Sequence, residues 1–422
     1  MKSFLLFLLI LCTFTVKATY NDWFYARALR IDLYHTGNST DEIYSIDELI
    51  NEPLWGGSHV NLVDSMNLGQ FYFKAFDLET NTLIFSHGFC SLFDEWKFTE
   101  EAKHTRRSFS ETVQMPLPKK DIRIELYSRN SKGVYEKKFE YQVDVKSYFI
   151  KTQSRMIHSA LTILKNGDPS NKIDIVILPE GYTQAELEKF KADCQKFTSD
   201  LFSFSPYKEN QDKFNVSAVL APSEESGTDI PGTGTWKSTV LNSSFYTFDS
   251  ERYLMTTDNK SVRDLAANVP YDQIYLLVNS SKYGGGSIYN LYSTSVNSNT
   301  YSAKIYVHEF GHGFAGLADE YDDGSTSYND MYPLGIEPWE PNLTTLVNFS
   351  SKWKKMLPAH TKIPSEPDHD NPLKLGVFEG GGYVSKGIYR PSTDCLMRSF
   401  SGNEFCPVCR KAIQEMIDYQ SQ

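Results

Sequence analysis

The sequence predicts an α+β fold in which an N-terminal β-sandwich precedes a larger domain of alternating strands and helices. Residues 24–148 alternate apolar and polar side chains, with turn residues at the spacing of a sandwich. From about residue 150 onward, short apolar runs alternate with helical periodicity, which indicates helices packed on a sheet. We therefore expect one domain over residues 19–148 and a second over residues 149–422.

Residues 1–18 have the pattern of a cleaved signal peptide. A basic start at Lys2 leads into the apolar run 4–11, and the small residue Ala18 follows. The run is too short to span a bilayer comfortably, and no later segment is apolar for long enough, so we expect no transmembrane segment. Lipidation at Cys12 is disfavoured because the preceding Leu11 is bulky. The sequence therefore predicts an exported protein, which is periplasmic, cell-surface or secreted.

The composition excludes one class of partner. The net charge is −11, with 53 acidic and 42 basic residues and no basic cluster, so the surface repels phosphate backbones. We expect no nucleic-acid partner. The oligomeric state has no signal in the sequence.

Three segments of the N-terminal domain alternate most clearly and are predicted as strands. They are residues 28–34, 122–127 and 139–145. This domain contains no catalytic constellation. Its histidines lack ligand spacing and are interpreted as surface or loop residues: His35, His59, His87 and His104. We interpret the domain as accessory.

The second domain opens with a buried-strand run at residues 173–179. Thr183 is predicted to cap a helix, with Glu186 completing a capping box. Five apolar side chains follow at helical spacing: Leu187, Phe190, Cys194, Phe197 and Leu201. Two further strands are predicted at 214–219 and 273–278.

The segment His308-Glu309-Phe310-Gly311-His312 carries the chemistry. Residues four apart share a helix face, so His308 and His312 can bind one zinc ion. Glu309 lies beside the first ligand and can serve as general base for a zinc-activated water. The opposite face carries an apolar stripe that is expected to face the core. It consists of Tyr306, Phe310, Phe314 and Leu317.

A catalytic zinc ion usually takes three protein ligands, so a further ligand is expected downstream. Gly316 can adopt the left-handed conformation that ends the helix and reverses the chain. Asp319, seven residues after His312, can then return to the metal, and Glu320 is the rival ligand. The next acids, residues 322 and 323, are interpreted as a solvated loop, with a calcium site as the alternative.

The extended motif resembles that of the IgA-peptidase family of zinc metallopeptidases. It is similar to the metzincin pattern, but the glycine and the third ligand each come one residue later, at Gly316 and Asp319. Two other segments, 177–183 and 394–409, resemble the opening and the C-terminal end of the family's catalytic domain. The resemblance covers about residues 165–412 and implies a zincin or metzincin-like catalytic domain within residues 149–422.

Further roles follow from the resemblance and from chemistry. The resemblance implies that Met397 forms an apolar floor beneath the zinc. A tyrosine at 383 or 389 can hydrogen-bond the developing oxyanion, with Tyr389 the stronger candidate. Cys406-x-x-Cys409 is a redox pair or half of a second zinc site, but export favours a disulfide, with Cys395 as one partner.

The glycine-rich run 283–292 is predicted to be a strand edge along the cleft. Such an edge lets a substrate backbone approach as an added strand. Three glycines also resemble a nucleotide loop, but no Lys-Ser/Thr follows them.

The function predicted from the sequence is an exported zinc metalloendopeptidase that hydrolyses extracellular proteins or peptides. The metal ligands are His308, His312 and Asp319, and Glu309 is the catalytic base. The alternatives are an adhesion or binding protein with a structural metal, a zincin with a Glu ligand, and an aminopeptidase.

Overall fold

A computed structural model describes residues 19–152, 158–324, 331–402 and 404–422. The predicted signal peptide over residues 1–18 lies outside the described residues. Among the helices that are described, none combines the length and the apolar character needed to cross a bilayer.

The N-terminal region consists of two four-stranded sheets. Its elements are α1 (Tyr20–Trp23), β1 (Phe24–Gly37), β2 (Glu42–Glu52), β3 (Phe71–Asp77), β4 (Leu83–Phe89), α2 (Leu92–Trp96), β5 (Arg107–Pro118), β6 (Ile122–Arg129), β7 (Tyr135–Val143) and β8 (Ile150–Lys151). One sheet has the order β5-β1-β2-β8 and the other β4-β3-β6-β7. All pairs are antiparallel except β2 with β8. The predicted strands 28–34 and 122–127 lie within β1 and β6, while 139–145 overlaps β7 and runs two residues past its end.

The two sheets share one core, because alternate side chains of each sheet point towards the other. Contacts between the sheets include the rings of His35 and Phe71, with centroids 5.2 Å apart, and those of Tyr44 and Phe139, at 6.3 Å. The interpretation of His35 as a surface or loop residue is wrong, since this side chain is fully buried. At this position the alternating strand directs the side chain into the core. The carboxylates of Glu111 and Glu42 compensate the cost of burying the imidazole.

A six-stranded sheet forms the second region. Its strands are β9 (Ala160–Leu164), β10 (Ile173–Glu180), β11 (Phe214–Val219), β12 (Gln273–Val278), β13 (Gly285–Ile288) and β14 (Tyr292–Val296). The order is β13-β14-β12-β10-β11-β9. The four inner strands are parallel, and the two outer strands, β13 and β9, are antiparallel to their neighbours. Every residue of β10 and β12 is buried, as expected of inner strands covered on both faces.

The remaining elements are helices and one hairpin. They are α3 (Leu187–Leu201), α4 (Asn259–Ala266), α5 (Ser302–Ala315), β15 (Phe378–Gly381), β16 (Val384–Arg390) and α6 (Pro407–Gln420). The capping box of Thr183 and Glu186 before α3 is confirmed. The apolar stripe is confirmed as well, since its three side chains in α5 and Leu317, just beyond the helix, are at most 3% exposed. Gly316 ends α5 with φ at +61°, as its position predicted.

A buried ion-pair network joins the two regions. Arg30 in β1 donates to both carboxylate oxygens of Asp32, at 2.8 and 2.7 Å, and to Asp264 Oδ1 in α4 at 2.6 Å. Loss of one partner of such a buried pair typically costs about 3–5 kcal/mol.

Taken together, these elements make the chain a mixed α/β protein in which strands predominate. The division at residues 148/149 stays a prediction.

The buried His35 predicts a pH-dependent stability. Burial lowers its pKa, but Glu111 Oε1 at 2.9 Å from Nδ1 and Glu42 Oε2 at 3.2 Å from Nε2 more than offset this, so the pKa is raised overall. The protonated form therefore stabilises the fold below about pH 6.5, and this contribution is lost as the pH rises through the folded-state pKa. In chemical unfolding, the stability difference between wild type and His35→Gln should shrink from pH 6 to pH 9.

Two further features bear on that measurement. Burial raises the pKa of Glu42, but its hydrogen bond to His35 and the charges of His35 and Lys97 outweigh this and lower the pKa to about 2. Protonation of Glu42 below pH 4.5 therefore causes a separate loss of stability. His104→Gln is the matched control, since His104 is exposed and pairs only with Glu100 among its described contacts. A difference between wild type and His35→Gln that does not vary with pH would contradict the prediction.

Candidate metal centre

Helix α5 lies so close to the sheet that small residues are required along its inner face. A Cβ atom at Gly313 would lie 2.4 Å from Ser293 Oγ and 2.7 Å from Ser287 Oγ. A Cβ at Gly311 would lie 3.2 Å from Met397 Sδ. Met397 is therefore packed beneath the motif helix, fully buried, where the family resemblance led us to expect it.

The two imidazoles converge on one point. His308 Nε2 and His312 Nε2 are 3.0 Å apart. Each Nδ1 faces a backbone carbonyl, Leu396 O at 3.0 Å for His308 and Leu317 O at 2.5 Å for His312. A ring that donates from Nδ1 to a carbonyl leaves Nε2 as the lone-pair nitrogen, which is the form that binds a metal.

Asp319 completes a triangle of donor atoms with the two rings. After the reversal at Gly316, its Oδ1 lies 3.2 Å from His308 Nε2 and 3.3 Å from His312 Nε2. This buried oxygen has no hydrogen-bond partner of good geometry among the described residues. The other oxygen, Oδ2, accepts a hydrogen bond of 2.8 Å from Tyr383. The carboxylate of Glu309 lies within 4.8 Å of the two imidazoles.

The charges at the site favour a cation between these atoms. Burial opposes ionisation of both partners, but Asp319 raises the pKa of His312 to about 9, and His312 with His308 holds the pKa of Asp319 well below its usual range. The field that retains a proton on His312 also attracts a divalent cation in its place. Burial raises the pKa of Glu309, while the charges of the two histidines act in the opposite direction.

The donor set fits zinc. An ion that binds nitrogen and oxygen at about 2.0–2.1 Å in tetrahedral geometry separates its ligand atoms by about 3.3 Å. The three separations of 3.0, 3.2 and 3.3 Å agree with this value. Two imidazoles and one carboxylate also match the ligand chemistry of catalytic zinc, in which three protein ligands leave the fourth position to water or substrate.

The rival ligand Glu320 points away from the histidines. Its Oε1 lies 3.1 Å from Cys409 Sγ and accepts a hydrogen bond of 3.0 Å from Asn342. Burial and the nearby Cys406 raise the pKa of Glu320 to about 8, against the hydrogen bonds from Asn342 and Cys409. Asp322 pairs with Arg398 at 3.2 Å, so it belongs to an ion pair and not to the triangle.

The histidines and both acids open into a cleft of about 290 Å³. Its walls include the glycine-rich run, as the sequence predicted. The run includes β13, the outer strand of the sheet, as predicted, but at Gly285 that edge is already occupied. The N–H of Gly285 donates to Arg252 O at 3.3 Å and its carbonyl accepts from Leu254 N at 3.1 Å. A Cβ at Gly285 would also lie 2.9 Å from Glu309 Oε1, so the glycine keeps space beside the acid.

Sequence reasoning missed one cleft residue, Arg252, and preferred Tyr389 to Tyr383, which is the tyrosine of the two that lines the cleft. Tyr383, with φ at +71° beyond β15, contacts Asp319, whereas Tyr389 lies in β16 outside the cleft lining. Arg252 also lines the cleft and donates to Tyr321 OH at 3.1 Å. The position of Tyr383 depends on a distant hairpin, and no spacing rule relates it to the motif.

The expected disulfide is not formed. All five cysteines among the described residues are buried free thiols: Cys90, Cys194, Cys395, Cys406 and Cys409. Cys395 Sγ and Cys409 Sγ are 3.8 Å apart, well beyond the bonded distance of about 2.05 Å.

A helix that presents two histidines, with a carboxylate returned by a glycine turn, has the chemistry of a metal-dependent hydrolase. The family model IgA Peptidase M64 matches residues 161–372 and 365–417, and Peptidase M64 N-terminus matches residues 19–140. The chain belongs to the IgA Peptidase M64 family. It is therefore a peptidase of a metallopeptidase family, with a protein or peptide as substrate. No curated protein matches the chain.

The contact between Tyr383 and Asp319 predicts a measurable supporting role. Removing the hydroxyl in Tyr383→Phe leaves Asp319 Oδ2 without this donor, so metal affinity or activity should fall about 10–100-fold, the usual effect of losing such a partner. Zinc affinity by chelator competition and kcat/KM would be measured together. Tyr389→Phe is the matched control, and equal losses in both variants would contradict the assignment.

Proposed function

We propose that the protein is an exported zinc-dependent endopeptidase with a zincin-type catalytic domain that hydrolyses peptide bonds of extracellular proteins. The metal ligands would be His308, His312 and Asp319. The general base would be Glu309. The single observation that carries this proposal is the triangle of ligand atoms 3.0–3.3 Å apart at the base of the cleft, with a second carboxylate beside it.

A zinc ion held by His308, His312 and Asp319 would supply Lewis acidity to polarise the scissile carbonyl and to activate a water. Glu309 accepts the proton of the attacking water and delivers it to the nitrogen of the departing amine. A side chain at position 285 would crowd the Glu309 carboxylate, so glycine leaves room for these proton transfers. No protein nucleophile is needed, so a peptide would be hydrolysed without a covalent intermediate.

The cleft also contains groups suited to a peptide backbone. Arg252 and Tyr283 line it, and their side chains can donate to substrate carbonyls.

Export is supported by the pattern of residues 1–18. Among the alternatives, a Glu-ligand zincin is disfavoured because Glu320 faces Cys409, and a binding protein without catalysis is disfavoured because Glu309 is retained beside the ligands.

The role of Glu309 predicts separable effects on catalysis and metal binding. Glu309→Gln should lower kcat by about 10²–10⁴-fold, because the amide cannot accept the proton. Zinc content should stay at the wild-type level, since the three ligands are unchanged. Glu366→Gln is the control, since this exposed glutamate pairs with Lys362 and does not line the cleft.

The substrate for that measurement should be a mixture of peptides blocked at both termini. Internal cleavage of blocked peptides is the result expected of an endopeptidase. Cleavage that requires a free amino terminus would indicate an aminopeptidase instead. Equal hydrolysis by wild type and Glu309→Gln would refute the enzymatic mechanism altogether.

The third ligand has its own test. Asp319→Ala should lose at least about 100-fold in activity at limiting zinc, because removing a ligand costs no less than removing its hydrogen-bond partner. Asp323→Ala is the control from the exposed part of the same loop. Zinc-titrated activity of the chelator-stripped protein is the readout. Wild-type reactivation of Asp319→Ala would show that Asp319 is not a ligand.

A further inference from the structure

A second cluster of ligand atoms lies behind the cleft. The Sγ atoms of Cys395, Cys406 and Cys409 and a carboxylate oxygen of Glu320 all lie within 4.8 Å of one another. All four residues are at most 2% exposed. Cys395 Sγ is 3.8 Å from Cys409 Sγ, which is 3.1 Å from Glu320 Oε1.

These separations are those of ligands around one tetrahedral ion. Two sulfurs bound at about 2.3 Å in tetrahedral geometry are about 3.8 Å apart, and sulfur and oxygen are about 3.5 Å apart. Glu320 Oε2 is buried with no hydrogen-bond partner among the described residues. An unpaired carboxylate oxygen in such a place costs free energy, which a cation would offset.

The backbone around the cluster is arranged to stabilise negative sulfur. Cys406 N donates to Cys395 Sγ at 3.2 Å, and Cys409 N donates to Cys406 Sγ at 3.4 Å. Cys406 is also the N-cap of α6, a 14-residue helix whose N-terminal end favours negative charge. Amide donors and a helix N-terminus both support thiolates.

We propose that Cys395, Cys406, Cys409 and Glu320 form a second, structural metal site for a thiophilic divalent ion of the zinc class. Three thiolates select soft or borderline ions over calcium and magnesium. Four protein ligands leave no position for water, which distinguishes a structural site from a catalytic one.

A disulfide is the competing fate of these cysteines, but it accounts for fewer of the observations. One bond would join two sulfurs and leave the third thiol, together with the unpaired oxygen of Glu320, inside the protein. A metal ion engages all four groups. The cluster also draws its ligands from three places in the chain, the loop after α5, the segment after β16 and the start of α6.

The site would hold together the two segments that position the peptidase centre. Glu320 directly follows Asp319, and its N–H donates to Met397 O at 2.8 Å. Cys395 directly precedes Leu396, whose carbonyl contacts His308 Nδ1. An ion that joins Glu320 to Cys395 therefore fixes both Asp319 and the imidazole of His308.

The test uses the full-length mature protein and removes one site at a time. His308→Ala/His312→Ala should retain about one zinc ion per chain against about two in wild type, measured by elemental analysis. When loaded with cobalt alone, this variant should keep the intense near-ultraviolet sulfur-to-cobalt absorption. Cys406→Ser/Cys409→Ser should lose that absorption, and Cys194→Ala, a buried thiol in α3, should keep it.

The double histidine variant keeps every cysteine, so its result stands even if the cysteine variant fails to fold. A folded double histidine variant with neither zinc nor the cobalt absorption would overturn the proposal. A bond between Cys395 and Cys406 or Cys409, found by mass spectrometry after alkylation without reduction, would also overturn it. Peptidase activity and the effect of Glu309→Gln are separate readouts, so failure here leaves the proposed function intact.

Discussion

Asp319 Oδ1 lies buried between two imidazole nitrogens, 3.2 and 3.3 Å away, and the described part of the chain offers it no hydrogen bond of good geometry. A carboxylate in such a place is stable only when positive charge stands beside it, as a proton on a ring or as a metal ion among all three groups. The surrounding structure serves this requirement. Backbone carbonyls orient both rings, the Tyr383 hydroxyl binds the other oxygen, and the left-handed Gly316 returns the loop to the helix.

Two consecutive residues of this loop face different ligand clusters. Asp319 points to the histidines and Glu320 points to the cysteines. Neighbouring side chains of an extended segment point to opposite sides, so a single stretch of chain can serve both clusters. Asn342 fixes the segment by donating to Ala318 O and Glu320 Oε1 and by accepting from Ala318 N. A shift of one residue that brought Glu320 to the histidines would bring Tyr321, and no carboxylate, to the cysteines.

The parts of the site that were predictable from sequence are those with local rules. Local rules predicted that His308 and His312 share a helix face, that α5 carries a core-facing stripe and that Gly316 ends the helix. Each of these features depends only on residues within two turns of one another. Spacing alone favoured Asp319 but did not separate it from Glu320, since their orientation depends on Asn342 and Cys409, which lie far along the chain. Tyr389 was chosen over Tyr383 for the same reason, because the hairpin of β15 and β16 determines which tyrosine reaches the cleft.

For the fold, too, local patterns were predicted and contacts between distant residues were not. The strand segments and the capping box before α3 are local patterns, and they were predicted. The burial of His35 was not predicted, because the carboxylates of Glu111 and Glu42 that make it tolerable lie on other strands or across a turn. The histidines of the N-terminal region were interpreted as surface or loop residues because they lack ligand spacing. That observation argues against a metal site but says nothing about whether a side chain is buried.

The N-terminal region is built into the support of the cleft. Cys90 N donates to Tyr289 O at 3.0 Å, and Asn290 Nδ2 donates to Gly88 O at 2.8 Å, so β4 is bonded to the turn between β13 and β14. Tyr253, next to the residue that bonds Gly285, donates to Glu95 of α2. Together with the ion pair between the buried Arg30 and the partly exposed Asp264, these bonds join the N-terminal sheets to the region that forms the cleft wall. The family's two matched regions are therefore in direct contact beside the cleft.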